Sequence, residues 1–148
     1  MKYTILLIAA MILSLGCKTV SNPTGVVVVG TISIDPYQTG KAVQVAAKLG
    51  GMAAIKQNPE TKQYFQAASI AIGAVIAKGN TTPEAVASAL QGITSDVLVT
   101  TAIADALSLY ADYYGKLVTS KLDSASPYTV PVLSGLAAGL QQAVILSQ

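Results

Sequence analysis

Val132-Leu133-Ser134-Gly135-Leu136-Ala137-Ala138-Gly139-Leu140-Gln141-Gln142-Ala143-Val144-Ile145-Leu146 is a run without a single charge, and its reading decides the fold. Leu133, Leu136, Leu140 and Val144 recur at spacings of three and four, the period of one helix face. Gly135, Gly139 and Ala143 recur every fourth residue and make a ridge of small side chains. Small residues at that spacing let another helix backbone approach closely. A helix that is apolar all round is ordinarily buried in a bundle, and roughly sixteen apolar residues fall short of the roughly twenty that cross a bilayer. The run therefore predicts the central helix of a small all-α bundle, packed through its ridge against a neighbouring helix or a second copy of the chain. The competing expectation is a helix that enters a membrane.

Working back from this run, each preceding segment carries the period and the boundary residues of a helix. From about residue 95 to about residue 122, Ile103, Leu107, Tyr110, Tyr114 and Leu117 or Val118 line an apolar face. Thr101, Asp105, Ser108, Asp112 and Lys116 line the wet one, with Asp112 four residues before Lys116 in the favourable order. Thr81-Thr82-Pro83-Glu84 opens a short helix to about Ile93, and the Thr81 to Glu84 spacing is that of a capping box. Asn58-Pro59-Glu60 opens another, with Asn58 as N-cap and Pro59 in the first turn. Tyr64, Ala68, Ala71, Ile72 and Val75 give it an apolar stripe, and Lys78-Gly79-Asn80 stops it. The first helix is expected from Lys41, with Val45, Leu49, Met52 and Ile55 inward, Lys41, Gln44 and Lys48 wet, and Gly50-Gly51 weakening its middle. Pro127 and Pro131 are expected to end the last connection, before Val132. The reading is an all-α bundle of about five helices, four long and one short, with Leu49, Ile72, Leu107, Tyr114, Leu136 and Leu140 in its core.

The N-terminal part reads differently. Met1-Lys2-Tyr3 precedes an apolar stretch of about a dozen residues, which closes with Leu13-Ser14-Leu15-Gly16-Cys17. A basic start, a short apolar core and a small residue at the cut make a secretory signal. These seventeen residues resemble the signal of bacterial membrane lipoprotein precursors, whose cysteine is diacylated, cleaved and N-acylated. Gly16 and Cys17 match that lipobox; Ser14 departs from it, since the usual leucine sits one place further back. The resemblance implies lipidation at Cys17, and Lys18 in place of an inner-membrane retention aspartate implies the periplasmic face of the outer membrane. Cys17 is also the only cysteine, so it has no internal disulfide partner.

Residues 1–16 are thus expected to be the signal peptide, 17–40 a lipidated tether and 41–148 the helical domain. The β-branched run at residues 26–34 carries a strand signal without a partner, and an extended arm is the preferred reading. Asp35-Pro36-Tyr37-Gln38-Thr39-Gly40-Lys41-Ala42 invites comparison with a phosphate-binding loop. The comparison fails, because Asp35 replaces a required glycine and Ala42 the hydroxyl that would hold magnesium.

Composition narrows the function classes. The chain has no histidine and no arginine, and charged residues make up only 11% of it, far below the usual quarter. Base recognition without one arginine or a basic patch is disfavoured, so no nucleic-acid partner is expected. With Cys17 acylated, the usual zinc ligands and the Ser-His and Cys-His nucleophile pairs are missing. Asp105 and Asp112 share a face about 10 Å apart, at the outer edge of the spacing in inverting glycosidases, but they fall on the solvated stripe. Tyr110 and Tyr114 are expected in the core, with only Tyr113 facing out.

No enzyme, cofactor or metal is therefore expected. The chain reads as a lipid-anchored envelope protein, a non-enzymatic binding or assembly module. Its partners would be membrane lipid through Cys17 and an envelope protein or a second copy. The alternative is a membrane-active lipoprotein (lysis, exclusion or pore-forming), of a kind a phage would encode.

Overall fold

Five helices follow from five sets of boundary residues. The computed structural model describes residues 35–119 and 125–148, and contains α1 (Pro36–Gln57), α2 (Thr61–Ala77), α3 (Pro83–Leu90), α4 (Val97–Thr119) and α5 (Ser126–Leu146). The fold is an all-α bundle of four long helices and one short one, with no strand among the described residues. The leader, Cys17 and the strand signal at residues 26–34 lie outside the described residues.

The starts of α1, α3 and α4 are each set by a side chain that satisfies free N–H donors of the first turn. Asp35 caps α1, its carboxylate accepting from the N–H of Tyr37 at 2.9 Å and of Gln38 at 3.2 Å, while Pro36 takes the first turn. The helix therefore starts before the expected Lys41, and Gly40-Lys41 lies inside it. Thr82, rather than Thr81, caps α3, its hydroxyl accepting from the Ala85 N–H at 3.3 Å. Pro83 decides this, because its ring holds the preceding residue in extended backbone, the geometry of an N-cap. Asp96 opens α4 by accepting from the Val99 N–H at 3.1 Å.

Asn58 serves two helices. Its N–H donates to the Ala54 carbonyl at 2.9 Å and closes α1, while its side chain accepts from the Glu60 N–H at 3.1 Å in the turn that leads to Thr61. The second helix thus begins a few residues later than the Asn58 cap predicted. Gly79 ends it at φ +70, a left-handed position where a Cβ would be strained.

The last helix starts at Ser126 instead of Val132, with Pro127 in its first turn and Pro131 inside it. An interior proline removes one helical hydrogen bond and costs about 3 kcal/mol, which is why the sequence pattern halts there. Tertiary packing of this turn offsets the cost. Pro131 lies on Gly40 of α1, and Thr129 is fully buried.

The main core joins Ala68, Ile72 and Val75 of α2, Val86 and Leu90 of α3, Tyr110 of α4 and Leu133 of α5. Leu107, Leu136 and Leu140 pack half-buried against it, and Tyr114 is half-buried too. A smaller cluster joins Ile55 to Ala143 and Val144, with Met52 and Phe65 at its margin. α5 contributes to both clusters; α1 and α2 pack along it, while α3 packs on α2 and α4 on α3.

The closest approach in the bundle is between α1 and α5. Gly40 lies at Pro131 and Gly135, Gln44 and Ala47 lie at Gly139, and Gly51 lies at Ala143. Residue numbers rise together along the two helices, so the first and last run parallel. α2 runs the other way along α5, since the Ser69 hydroxyl donates to the Ala137 carbonyl at 3.0 Å and Lys62 lies by Gln148.

This seam corrects the expected inward face of α1. Val45 and Leu49 are 51% and 55% exposed, and Gly40, Val43, Ala46 and Gly51 are buried instead. Two faces of α1 compete for the interior, and the small one wins because α5 offers a matching ridge along the length of the pair. Close backbone contact collects many weak dispersion terms that a leucine layer would hold apart. Only the C-terminal end of the predicted stripe, Met52 and Ile55, turns inward.

A Cβ placed on Gly135 would overlap the Gly40 carbonyl oxygen, and one on Gly139 would fall 2.7 Å from Ala47 Cβ. Gly73, in the middle of α2, has nothing within 4 Å of such an atom. Gly73→Ala should therefore stabilise the domain by about 0.5 to 1 kcal/mol through helix propensity alone. Gly135→Ala, with the same propensity gain, should destabilise it by about 1 to 3 kcal/mol through overpacking. Denaturant midpoints of the two variants against wild type check the pair. A Gly135→Ala protein as stable as wild type would refute the seam.

Candidate functional site

Of the residues singled out in the sequence, Gly135, Gly139 and Ala143 are brought together on one side of α5, all buried, against Gly40, Ala47 and Gly51 of α1. The α1 half of this seam was missed by sequence reasoning, where Gly50-Gly51 read as a weakness. Its signal lay in Gly40, Ala47 and Gly51, small residues on one side of the helix. Cys17 lies outside the described residues.

Asp105 and Asp112 are both exposed on α4. Among the described residues, no group of three or more acidic, cysteine or histidine side chains stands where a metal ion could be held.

The polar side chains that do converge are hydroxyls. Thr81 and Thr129 are both buried, and their hydroxyl oxygens lie 2.7 Å apart across the junction of α3 with α5. The Tyr110 hydroxyl donates to the Thr81 carbonyl at 2.5 Å, and Thr129 also reaches back to the Ala125 carbonyl at 3.2 Å. Next to them the Tyr113 hydroxyl donates to the Tyr128 carbonyl at 3.2 Å. Tyr113 is thus half-buried rather than outward-facing, because the first turn of α5, not expected there, covers it. Tyr114 leans on Tyr110 with ring centroids 6.4 Å apart at 48°, an ordinary tilted aromatic pair.

Burial pushes the Tyr110 phenol up to about 12, against the opposing effect of its bonds to Thr129 and Thr81. Burial likewise pushes Tyr113 up to about 12, with the neighbouring Tyr128 adding to it. Both phenols are therefore neutral donors at physiological pH. Among the described residues every buried polar side-chain atom has a partner. The cluster ties α4 and α3 to the start of α5 through hydrogen bonds.

What remains is the outer surface. A shallow groove of about 270 Å³ lies between α2 and α5, lined by Lys62, Gln66, Ile70, Gln141 and Ile145 among others. Ile70, Ile145 and Leu146 are exposed beside it or near it, and Val45 and Leu49 are exposed on α1. No protein-family model, no curated protein and no solved structure matches this chain.

The tyrosine cluster sets an alkaline limit. In the unfolded chain these phenols lose their protons near pH 10, whereas in the fold they hold them to about pH 12. Between those values the folded state binds more protons than the unfolded one, so stability falls as pH rises. The contribution is complete below pH 10 and is lost as pH climbs through 12. Tyr110→Phe should show a shallower fall in denaturant midpoint from pH 9 to 12, and it should cost about 1 to 3 kcal/mol at pH 7 by removing the donor to Thr81. Parallel curves for the two proteins would exclude Tyr110 from this effect.

Proposed function

We propose that the chain is a lipid-anchored envelope protein that works as a non-enzymatic binding or assembly module. The observation that carries this reading is Cys17: a lone cysteine after Gly16 at the end of a short apolar leader. Acylation there would supply more than the two membrane signals that stable attachment requires, at about 0.8 kcal/mol for each buried methylene. The helical bundle supports the module part of the reading. It closes its own core, engages the hydroxyls of Tyr110 and Tyr113 in hydrogen bonds, and directs apolar side chains such as Ile70, Val45 and Leu49 outward. The resemblance of the leader favours the periplasmic face of an outer membrane, with an envelope protein or a second copy as partner.

A second reading has one specific observation in its favour. α5 is 21 residues long and holds an 18-residue window with a mean hydropathy of 1.5, enough by length and composition to cross a bilayer, and it is longer than its sequence pattern suggested. A lysis, exclusion or pore-forming lipoprotein would use such a helix. The glycine seam weighs against it, because insertion would first have to separate α5 from α1.

Metabolic labelling of cells with a palmitate analogue tests the first reading. The wild-type chain should carry the label and Cys17→Ser should not. Equal labelling of the two would end the proposal of a lipid anchor.

A further inference from the structure

α1 has a second face that no other helix among the described residues covers. Lys41, Val45, Leu49 and Lys56 are exposed on it, Met52 is half-exposed at its edge, and Lys48 flanks it. Pro36–Gln57 contains these three lysines and no acidic residue. The nearest carboxylate in sequence, Asp35, is engaged as the cap. At the start of the helix Tyr37 is 60% exposed, with the Lys41 ammonium 4.6 Å from its ring centroid. An apolar midsection set among cations, with an aromatic residue at one end, is the composition of a helix face that rests in a lipid headgroup layer.

We infer that the outer face of α1 lies on the surface of an anionic bilayer, with Val45 and Leu49 at the boundary between headgroups and acyl chains and the three lysines among the phosphates. Charge complementarity selects this occupant. Each lysine near an anionic leaflet raises the local affinity about fivefold. A second copy fits poorly, because a two-fold pairing of this face would set lysines against their own copies. The face is also small: a helix of this length presents a strip of roughly 330 Å², well short of the roughly 800 Å² that each partner brings to a stable interface. The inference rests on the proposed anchor only for nearness to the membrane. Pro36 stands nineteen residues after Cys17, no more than roughly 65 Å of fully extended chain.

The test uses the full chain carrying Cys17→Ser and a C-terminal histidine tag, held on vesicles through a nickel-chelating lipid. The tag replaces the acyl anchor, so the result does not depend on whether Cys17 is modified. Environment-sensitive labels are placed one at a time through Val45→Cys, Leu49→Cys and, for contrast, Asp105→Cys on the exposed face of α4. On vesicles of phosphatidylglycerol and phosphatidylethanolamine containing a lipid-borne quencher, positions 45 and 49 should be quenched at least about threefold more than position 105. Phosphatidylcholine vesicles, high salt or Lys41→Glu/Lys56→Glu should each remove most of that difference, as expected if the lysines provide the attraction. Equal quenching at all three positions overturns the inference. So does a label at position 45 that is shielded from a water-soluble quencher but out of reach of the lipid-borne one, since a protein would then cover the face.

Discussion

The bundle depends on two helices that touch backbone to backbone. Where α1 crosses α5 there is no room for a Cβ at Gly40 or Gly135, and Gly51 meets the methyl of Ala143 and, further off, the ring of Phe65. Each helical glycine sacrifices about 1 kcal/mol of propensity relative to alanine. The close approach turns that loss into a specification, because a single register brings all the small positions into line. It also decides which side of α1 is left to the solvent, and therefore what the protein shows its surroundings.

The other elements are fastened by different means. α2, α3 and α4 meet α5 through larger side chains such as Ile72, Val86 and Tyr110, while the hydroxyls of Thr81, Thr129, Tyr110 and Tyr113 tie the junction around the start of α5. Apolar packing tolerates small shifts in position, whereas a set of buried hydroxyls fully paired with one another does not. The seam and the hydroxyl junction thus fix α5 on two sides. Its interior proline sits between these two constraints, and they hold the turn in a conformation the local sequence resists.

The helices themselves were legible from the sequence, because caps, stops and apolar period agreed in each segment. Fold class and helix count followed from that agreement. The inward face of α1 was not legible, since hydropathy ranks Val45 and Leu49 above Gly40 and Gly51, and only the partner helix reverses the order. The two proline errors have one origin. Asp35-Pro36 and Pro127 mark helix starts, yet Gly40-Lys41 also reads as a helix opening and Pro131 as a helix boundary. Thr81 and Thr129 carry no signal in a single chain, because a hydroxyl pair 48 residues apart is visible only in space.

The parallel seating of the first helix on the last fixes the order in which the protein can be completed. Gly40 and Gly135 stand 95 residues apart, and closing a loop of that length costs about 4 kcal/mol of chain entropy beyond a constant term. α1 leaves the ribosome well before its partner is made. The helices between them can begin to associate, but α1 can dock only once α5 has been made. Such a topology leaves the glycine face of α1 without its partner until α5 has been synthesised.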